Sequence, residues 1–238
     1  MVNADKARRA QLRQFQARQT LHTRVAGRLR RDQFLWTGSA IIAVLLASLG
    51  LWAYSTIGPG APPSAPEASL SENREWTGEI TFGDQTLEIV LDGQAAPQAV
   101  ATVVSLIGEG FYDATSCHRL TSGDLNVVQC GDPLGFGFGG PGYTFGPVEN
   151  APSDDVYPAG TLAMARAADN GESMGSQFFI VYEDSTIPSD SAGGYTIIGS
   201  VTSPLDGFVD EFVTPGAVDG SQDGQPLTDI VIDSITIR

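Results

Sequence analysis

Hydrophobic and polar positions follow three rhythms along the 238 residues. From Phe34 to Tyr54 apolar residues run almost unbroken, and no charged residue stands between Asp32 and Glu67. A helix over that run is about 31 Å long, enough to cross a bilayer core. From residue 55 to 73 (Ser-Thr-Ile-Gly-Pro-Gly-Ala-Pro-Pro and onward) no period is visible, and proline, glycine and serine mark a linker. From Trp76 the pattern alternates: Trp76–Phe82 and Gln85–Leu91 flank Gly83-Asp84 and predict a hairpin. Val100, Val103, Val104 and Ile107 then recur at helical spacing behind Pro97, predicting a helix over 97–109. Short strands are expected around 116–121, 125–130, 160–165, 177–182, 195–201 and 228–237, with the longest loop at 133–160. A second helix is expected over 203–213, capped by Ser203 or Asp206. Many short strands with two helices predict a mainly β domain, a closed barrel plugged at its ends; a two-sheet sandwich is the alternative.

Charge divides the chain in the same places. Residues 1–33 carry nine basic residues against Asp5 and Asp32, a net of +7, and the remainder carries −22, giving the overall −15. The basic flank predicts a cytoplasmic N-terminal arm (1–33), a transmembrane helix (34–54), a linker (55–73) and an extracytoplasmic domain (74–238). A cleaved signal peptide is the competing reading, against which stand the long charged arm and the lack of an A-x-A site after the run. The acidity of the outer domain argues against nucleic acid as a partner.

Several chemistries are excluded by what is missing. His118 is the only histidine beyond the arm, which holds His22, and with two cysteines it makes a zinc site untenable. His118 directly precedes Arg119, whose charge disfavours protonation of a histidine base, so packing is the expected role of His118. Gly135–Gly140 satisfies G-x-G-x-x-G, but no helix follows and the outer domain contains no lysine. Close turns explain those glycines better, and neither metal nor cofactor is expected. Cys117 and Cys130 form either one disulfide or a pair of small buried side chains. Only four basic residues lie beyond position 33: Arg74, Arg119, Arg166 and Arg238. Arg119 has Asp132 and Glu149 as candidate ion-pair partners.

Five blocks contain or flank two of those arginines. They are Cys117-His118-Arg119-Leu120, Gln129-Cys130-Gly131-Asp132, Gly137-x-Gly139-Gly140, Gly160–Ala167 and Gly175-Ser176-Gln177-Phe178-Phe179-Ile180. In this order they resemble the cyclophilin family of peptidyl-prolyl cis–trans isomerases, from about Trp76 to Arg238. The resemblance implies a closed eight-stranded β-barrel with a helix at each end and a groove on its outside. It implies Arg119 as the catalytic residue. It implies Val127, Gln129, Gly137, Gln177 and Phe179 as substrate-binding positions, Ala165-Arg166-Ala167 as the backbone-binding strand, and Ile187 and Tyr195 as the far wall. Where relatives carry a pocket phenylalanine two residues before Val128, this chain has Asn126.

The implied chemistry suits these residue types. X–Pro rotation loses amide resonance, with a barrier of roughly 20 kcal/mol. A fixed guanidinium donating to the pyramidal prolyl nitrogen favours the twisted state over both ground states. The expected function is therefore a monomeric, membrane-anchored prolyl isomerase acting on proline-containing segments of exported proteins. A non-catalytic proline-segment holdase on the same fold is the alternative, with Asn126 as its mark, and a purely adhesive surface domain is the third.

Overall fold

The structure, a computed structural model, describes residues 2–58 and 60–238; in the N-terminal helix, side chains are described for 18–20, 23, 27–29 and 33–56. Most side chains of the basic arm thus lie outside the described residues. The chain divides after Pro62 into two units. The first contains α1 (Val2–Thr56), whose segment Gly27–Thr56 is long and apolar enough for a membrane span or an N-terminal signal sequence. Within it the hydroxyls of Thr37 and Ser39 donate to the carbonyls of Gln33 and Leu35. Polar groups in an apolar helix are satisfied in this way without water.

The second unit, Pro63–Arg238, begins with the end of the proline-rich stretch. Ser71 there is fully buried, Trp76 Nε1 donates to its carbonyl at 2.8 Å, and Gln98 Nε2 donates to that of Pro66 at 2.9 Å. Strands β1 (Glu75–Phe82) and β2 (Gln85–Asp92) form the expected hairpin, with Gly83 at φ 56° in the turn. Positive φ costs glycine nothing, which suits a two-residue hairpin loop. Helix α2 (Pro97–Gly108) starts on its proline. Its free N-terminal amides are satisfied from a distance: Glu149 accepts from Gln98 N at 3.1 Å and Ala99 N at 3.0 Å. A carboxylate at that end also complements the helix dipole.

The remaining strands are β3 (Thr115–Ser116), β4 (Arg119–Thr121), β5 (Val127–Cys130), β6 (Val156–Tyr157), β7 (Thr161–Met164), β8 (Phe178–Val181), β9 (Ser185–Thr186), β10 (Ile197–Val201), β11 (Asp223–Gly224), β12 (Val231–Ile232) and β13 (Ser234–Ile237). Nine of the strands pair in the order β11-β4-β5-β8-β7-β10-β2-β1-β13. Alternation sorts their side chains. Leu120, Val128, Cys130, Phe178, Ile180, Leu162, Met164 and Ile198 enter the main core beneath α2. Val127, Ala163, Phe179 and Val181 form a second, separate apolar cluster with Tyr157. The sheet therefore has two hydrophobic faces.

Two expectations are corrected. The sheet holds nine strands, not eight, and among the described residues its end strands β11 and β13 are not hydrogen-bonded to each other. The segments that would carry the ladder round, β3 and β12, pair separately, because Cys117-His118 and Asp233 interrupt the two chains. The second helix is shorter than 203–213: α3 (Asp206–Phe208) runs into a π-helical turn at Val209–Val213. Neither Ser203 nor Asp206 caps it. Leu205 holds the cap position, and Ser203 Oγ instead accepts from Glu88 N at 3.0 Å.

That turn seals one end of the core. Phe208 and Phe212 pack on Phe82 with ring centroids 5.1 and 6.3 Å away. Phe82 is fully buried. Replacing it by alanine is expected to destabilise the second unit by about 3–5 kcal/mol, read from urea unfolding of the full chain.

Candidate active site

The register of four strands builds the site. Arg119 on β4 pairs with Gln129 on β5, Gln129 with Phe179 on β8, and Phe179 with Ala163 on β7. Since β5 and β8 send their neighbours Val128 and Phe178 into the main core, Gln129 and Phe179 share the opposite face. Polar groups link along this row. Arg119 Nη1 donates to Gln129 Oε1 at 3.3 Å, and Gln129 Nε2 to Gln177 Oε1 at 2.8 Å. Gln177 Nε2 then donates to the carbonyls of Gly137 and Gly139 at 3.0 and 2.9 Å.

Beside the polar row lies the second apolar cluster. Phe179 meets Tyr195 edge-on at 5.6 Å, and Leu125, Ala165 and Ile187 pack against the same group. Asn126 does not face it. Its side chain closes its own loop, accepting from Gly123 N at 3.0 Å and donating to Gly123 O at 3.1 Å. Leu125 stands at the cluster instead, so the missing aromatic is replaced by a leucine one residue earlier.

A cavity of about 850 Å³ opens on the other side of Gln129 and Gln177. Gly137, Ala165, Arg166 and Ala167 line it with those two glutamines, whereas Arg119, Val127, Phe179, Ile187 and Tyr195 do not. Its far rim is the loop after Asp132. That carboxylate is fully buried and accepts from the backbone N–H groups of Leu134, Phe136, Gly137 and Phe138. Burial works to raise its pKa, but the donated N–H bonds prevail and hold it below the usual carboxylate range. A phosphate at this glycine run would find amides already taken by Asp132. Gly139 sits so close to the Asp132 carboxylate that a Cβ there would overlap it. Phe136 and Phe138 project from the braced loop, 79% and 92% exposed.

Cys117 and Cys130 are joined by a disulfide that ties the approach to β4 to the end of β5. His118 between them has a buried Nδ1 with no hydrogen-bond partner among the described residues. Burial lowers its pKa against the pull of Asp132, and Arg119 lowers it further. A neutral, packed imidazole follows.

The model of the cyclophilin type peptidyl-prolyl cis-trans isomerase/CLD family matches residues 77–237. The chain belongs to this family. The probable peptidyl-prolyl cis-trans isomerase B of Mycobacterium tuberculosis is 39% identical over 216 residues, covering 75% of this chain and 68% of the relative. That of Mycobacterium leprae is 35% identical over 198 residues, covering 74% and 65%. The chain thus spans about two thirds of these relatives' length. A cyclophilin type peptidyl-prolyl cis-trans isomerase of Cryptosporidium parvum, solved in the presence of the dipeptide Ala-Pro, superposes with a TM-score of 0.56 at 26% identity, over 68% of this chain and 98% of the other.

In this cyclophilin, Arg166 is not free to meet a ligand through its side chain. Its guanidinium is completely buried and bidentate to Asp190, with both N···O distances 2.8 Å. It also donates to the carbonyls of Gly194, Gly193 and Ala167, and it stacks on Tyr195 at 4.6 Å. The carbonyl of Tyr195 in turn accepts from Tyr157 Oη at 3.3 Å. Arg166 therefore fastens the 190–194 loop and Tyr195 to the strand end at Ala165.

Three neighbours of the expected residues are not marked in the sequence: Leu125, Asp190 and Asp223. Asp223 holds Arg119 by two bonds of 2.7 Å, to Nε and Nη2, in place of the expected Asp132 or Glu149. No local pattern singles out Asp190 or Asp223, which lie 24 and 104 residues away from the arginines they hold, and Leu125 lies just before β5.

Asp190 carries a pH consequence. The Arg166 hydrogen bond, then the N–H of Asp169 and Ala192, hold its carboxyl well below the usual range against desolvation. A depressed folded pKa gives stability that is present at neutral pH and lost as pH falls through that value. Asp190→Asn is expected to lower Tm at pH 7, with the difference from wild type shrinking as the solution is acidified below about pH 4, measured by calorimetry across pH.

Proposed function

We propose that the second unit accelerates cis–trans rotation of X–Pro bonds, with Arg119 as its catalytic residue. The supporting observation is the row Arg119–Gln129–Phe179, which sets a guanidinium beside an amide and an apolar cluster on one face. Leu125, Val127 and Phe179 would hold the prolyl ring, with Tyr195 and Ile187 beyond. One of the two guanidinium N–H groups left free by Asp223 and Gln129 would donate to the prolyl nitrogen as it turns pyramidal. Gln129 would hold the carbonyl before the proline, and Ala165-Arg166-Ala167 would offer backbone to the flanking chain. Gln177 and Gly137 would brace the loop at the cavity. The Ala-Pro dipeptide with which the Cryptosporidium parvum cyclophilin was solved supports a proline-containing ligand.

The substrates in this reading are exported polypeptides. The split between +7 over residues 1–33 and −22 beyond supports α1 as an uncleaved anchor with its N-terminus in the cytoplasm. A monomer suffices, since the row and the cluster come from one chain.

Exchange NMR on an Ala-Pro tetrapeptide tests the reading, using the full chain in detergent micelles. Wild type is expected to accelerate exchange, and Arg119→Ala to lower kcat/KM by about a hundredfold. Peptide binding without acceleration would replace the enzyme with a proline-segment binder.

A further inference from the structure

The strand β11 is only two residues long, yet it is held in place by several backbone hydrogen bonds. It lies at the end of the sheet, paired with β4 as Asp223↔Thr121 and Gly224↔Leu120. Bonds on both sides hold it there: Ser122 N donates to Gln222 O at 2.8 Å, Ser221 Oγ to Asp223 O at 3.1 Å, and Val218 N to Gln225 O at 2.8 Å. The excursion turns through Asp219 and Gly220, both at positive φ. What it delivers is one carboxylate. Both oxygens of Asp223 meet Arg119, at Nε and Nη2.

We propose that Asp223 is a positioning residue for Arg119, fixing the plane and direction of its guanidinium at the groove. The inference rests on Arg119 being the catalytic donor. Arginine has five N–H donors. Asp223 takes two on one edge and Gln129 takes one on Nη1, leaving two that can only point away from the β11 side. Without Asp223 a single 3.3 Å bond to Gln129 would hold a side chain that is 38% exposed and rich in rotamers. The pair itself is largely solvent-exposed, 57% on the Asp223 side, and such pairs add little to stability. Its consequence is therefore orientation rather than folding. A carboxylate also dampens the guanidinium's charge, so the arrangement helps only if direction outweighs field strength; the paired, planar contact favours direction.

The pair supplies a pH signature. The Arg119 hydrogen bond holds the Asp223 carboxyl below its ordinary value, against desolvation. The charge that bears on that carboxyl is the Arg119 guanidinium; Arg119 itself feels Asp223 and the Tyr195 hydroxyl, and acts on His118 beside it. With a depressed pKa, the paired state is complete at neutral pH and is lost as pH falls through that value.

The test measures kcat, KM and their pH dependence for full-chain wild type, Asp223→Asn, Asp223→Glu and Arg119→Ala, by exchange NMR on the same tetrapeptide. Asp223→Asn is expected to lower kcat about tenfold with KM and Tm unchanged, and to abolish the acid limb of the wild-type profile. Asp223→Glu, which keeps the carboxylate, is expected to recover part of the rate and the limb. If Asp223→Asn matches wild type in kcat and pH profile, or is faster, Asp223 does not position Arg119. If Arg119→Ala itself keeps the wild-type rate, the catalytic reading of Arg119 fails, whatever Asp223 does.

Discussion

The polar row and the apolar cluster beside it depend on the antiparallel register of β4, β5, β8 and β7. Side chains on a strand alternate faces, so a slip of one residue in any of these pairings would exchange the two apolar sets. Phe178 would leave the main core and Phe179 would enter it. The register holds because both faces are hydrophobic and differently sized: one takes Leu120, Val128, Ile180 and Leu162 under α2, the other Val127, Ala163 and Val181 under Tyr157. The disulfide between Cys117 and Cys130 adds a covalent tie beside Arg119 and Gln129. Packing thus decides where the polar row lies.

Loops are then fastened to that row by buried polar groups rather than by further core. Asp132 gathers the amides of the glycine-rich loop, and Gln177 takes two of its carbonyls. On the other flank Arg166 and Asp190 do the same for the 190–194 loop. Buried ionic groups of this kind hold only when nearly every donor and acceptor is matched, and here they are. The glycine-rich loop and the strand end at Ala165–Ala167 line the cavity, and the 190–194 loop is fastened to that strand end outside the lining.

Much of this was legible in the sequence because it follows short-range periods. The hairpin around Gly83, the helix behind Pro97 and the alternation through Gln177–Tyr182 are local patterns. The order of five blocks carried the family and, with it, the outward row. Long-range pairings left no such trace. Asp223 reaches Arg119 from 104 residues away, through a two-residue strand with no hydrophobic pattern. Leu125 and Asn126 differ only in parity, which the Ser-Gly-Asp turn before them obscures. Arg166 belongs to the block read as a backbone-binding strand, and no local pattern shows that its side-chain donors are taken by Ala167 and by a loop 24 to 28 residues on. The open ladder likewise depends on interruptions at Cys117-His118 and Asp233, where the chain looks continuous.

Locating a bound proline ring is the most direct test of the groove. Isotope-filtered NOEs between a proline-containing peptide and the full chain would do so. Contacts from the prolyl ring protons to Phe179, Val127 and Leu125 are the expected result. Contacts confined to Phe136 and Phe138 on the exposed loop, with none to Phe179, would contradict it.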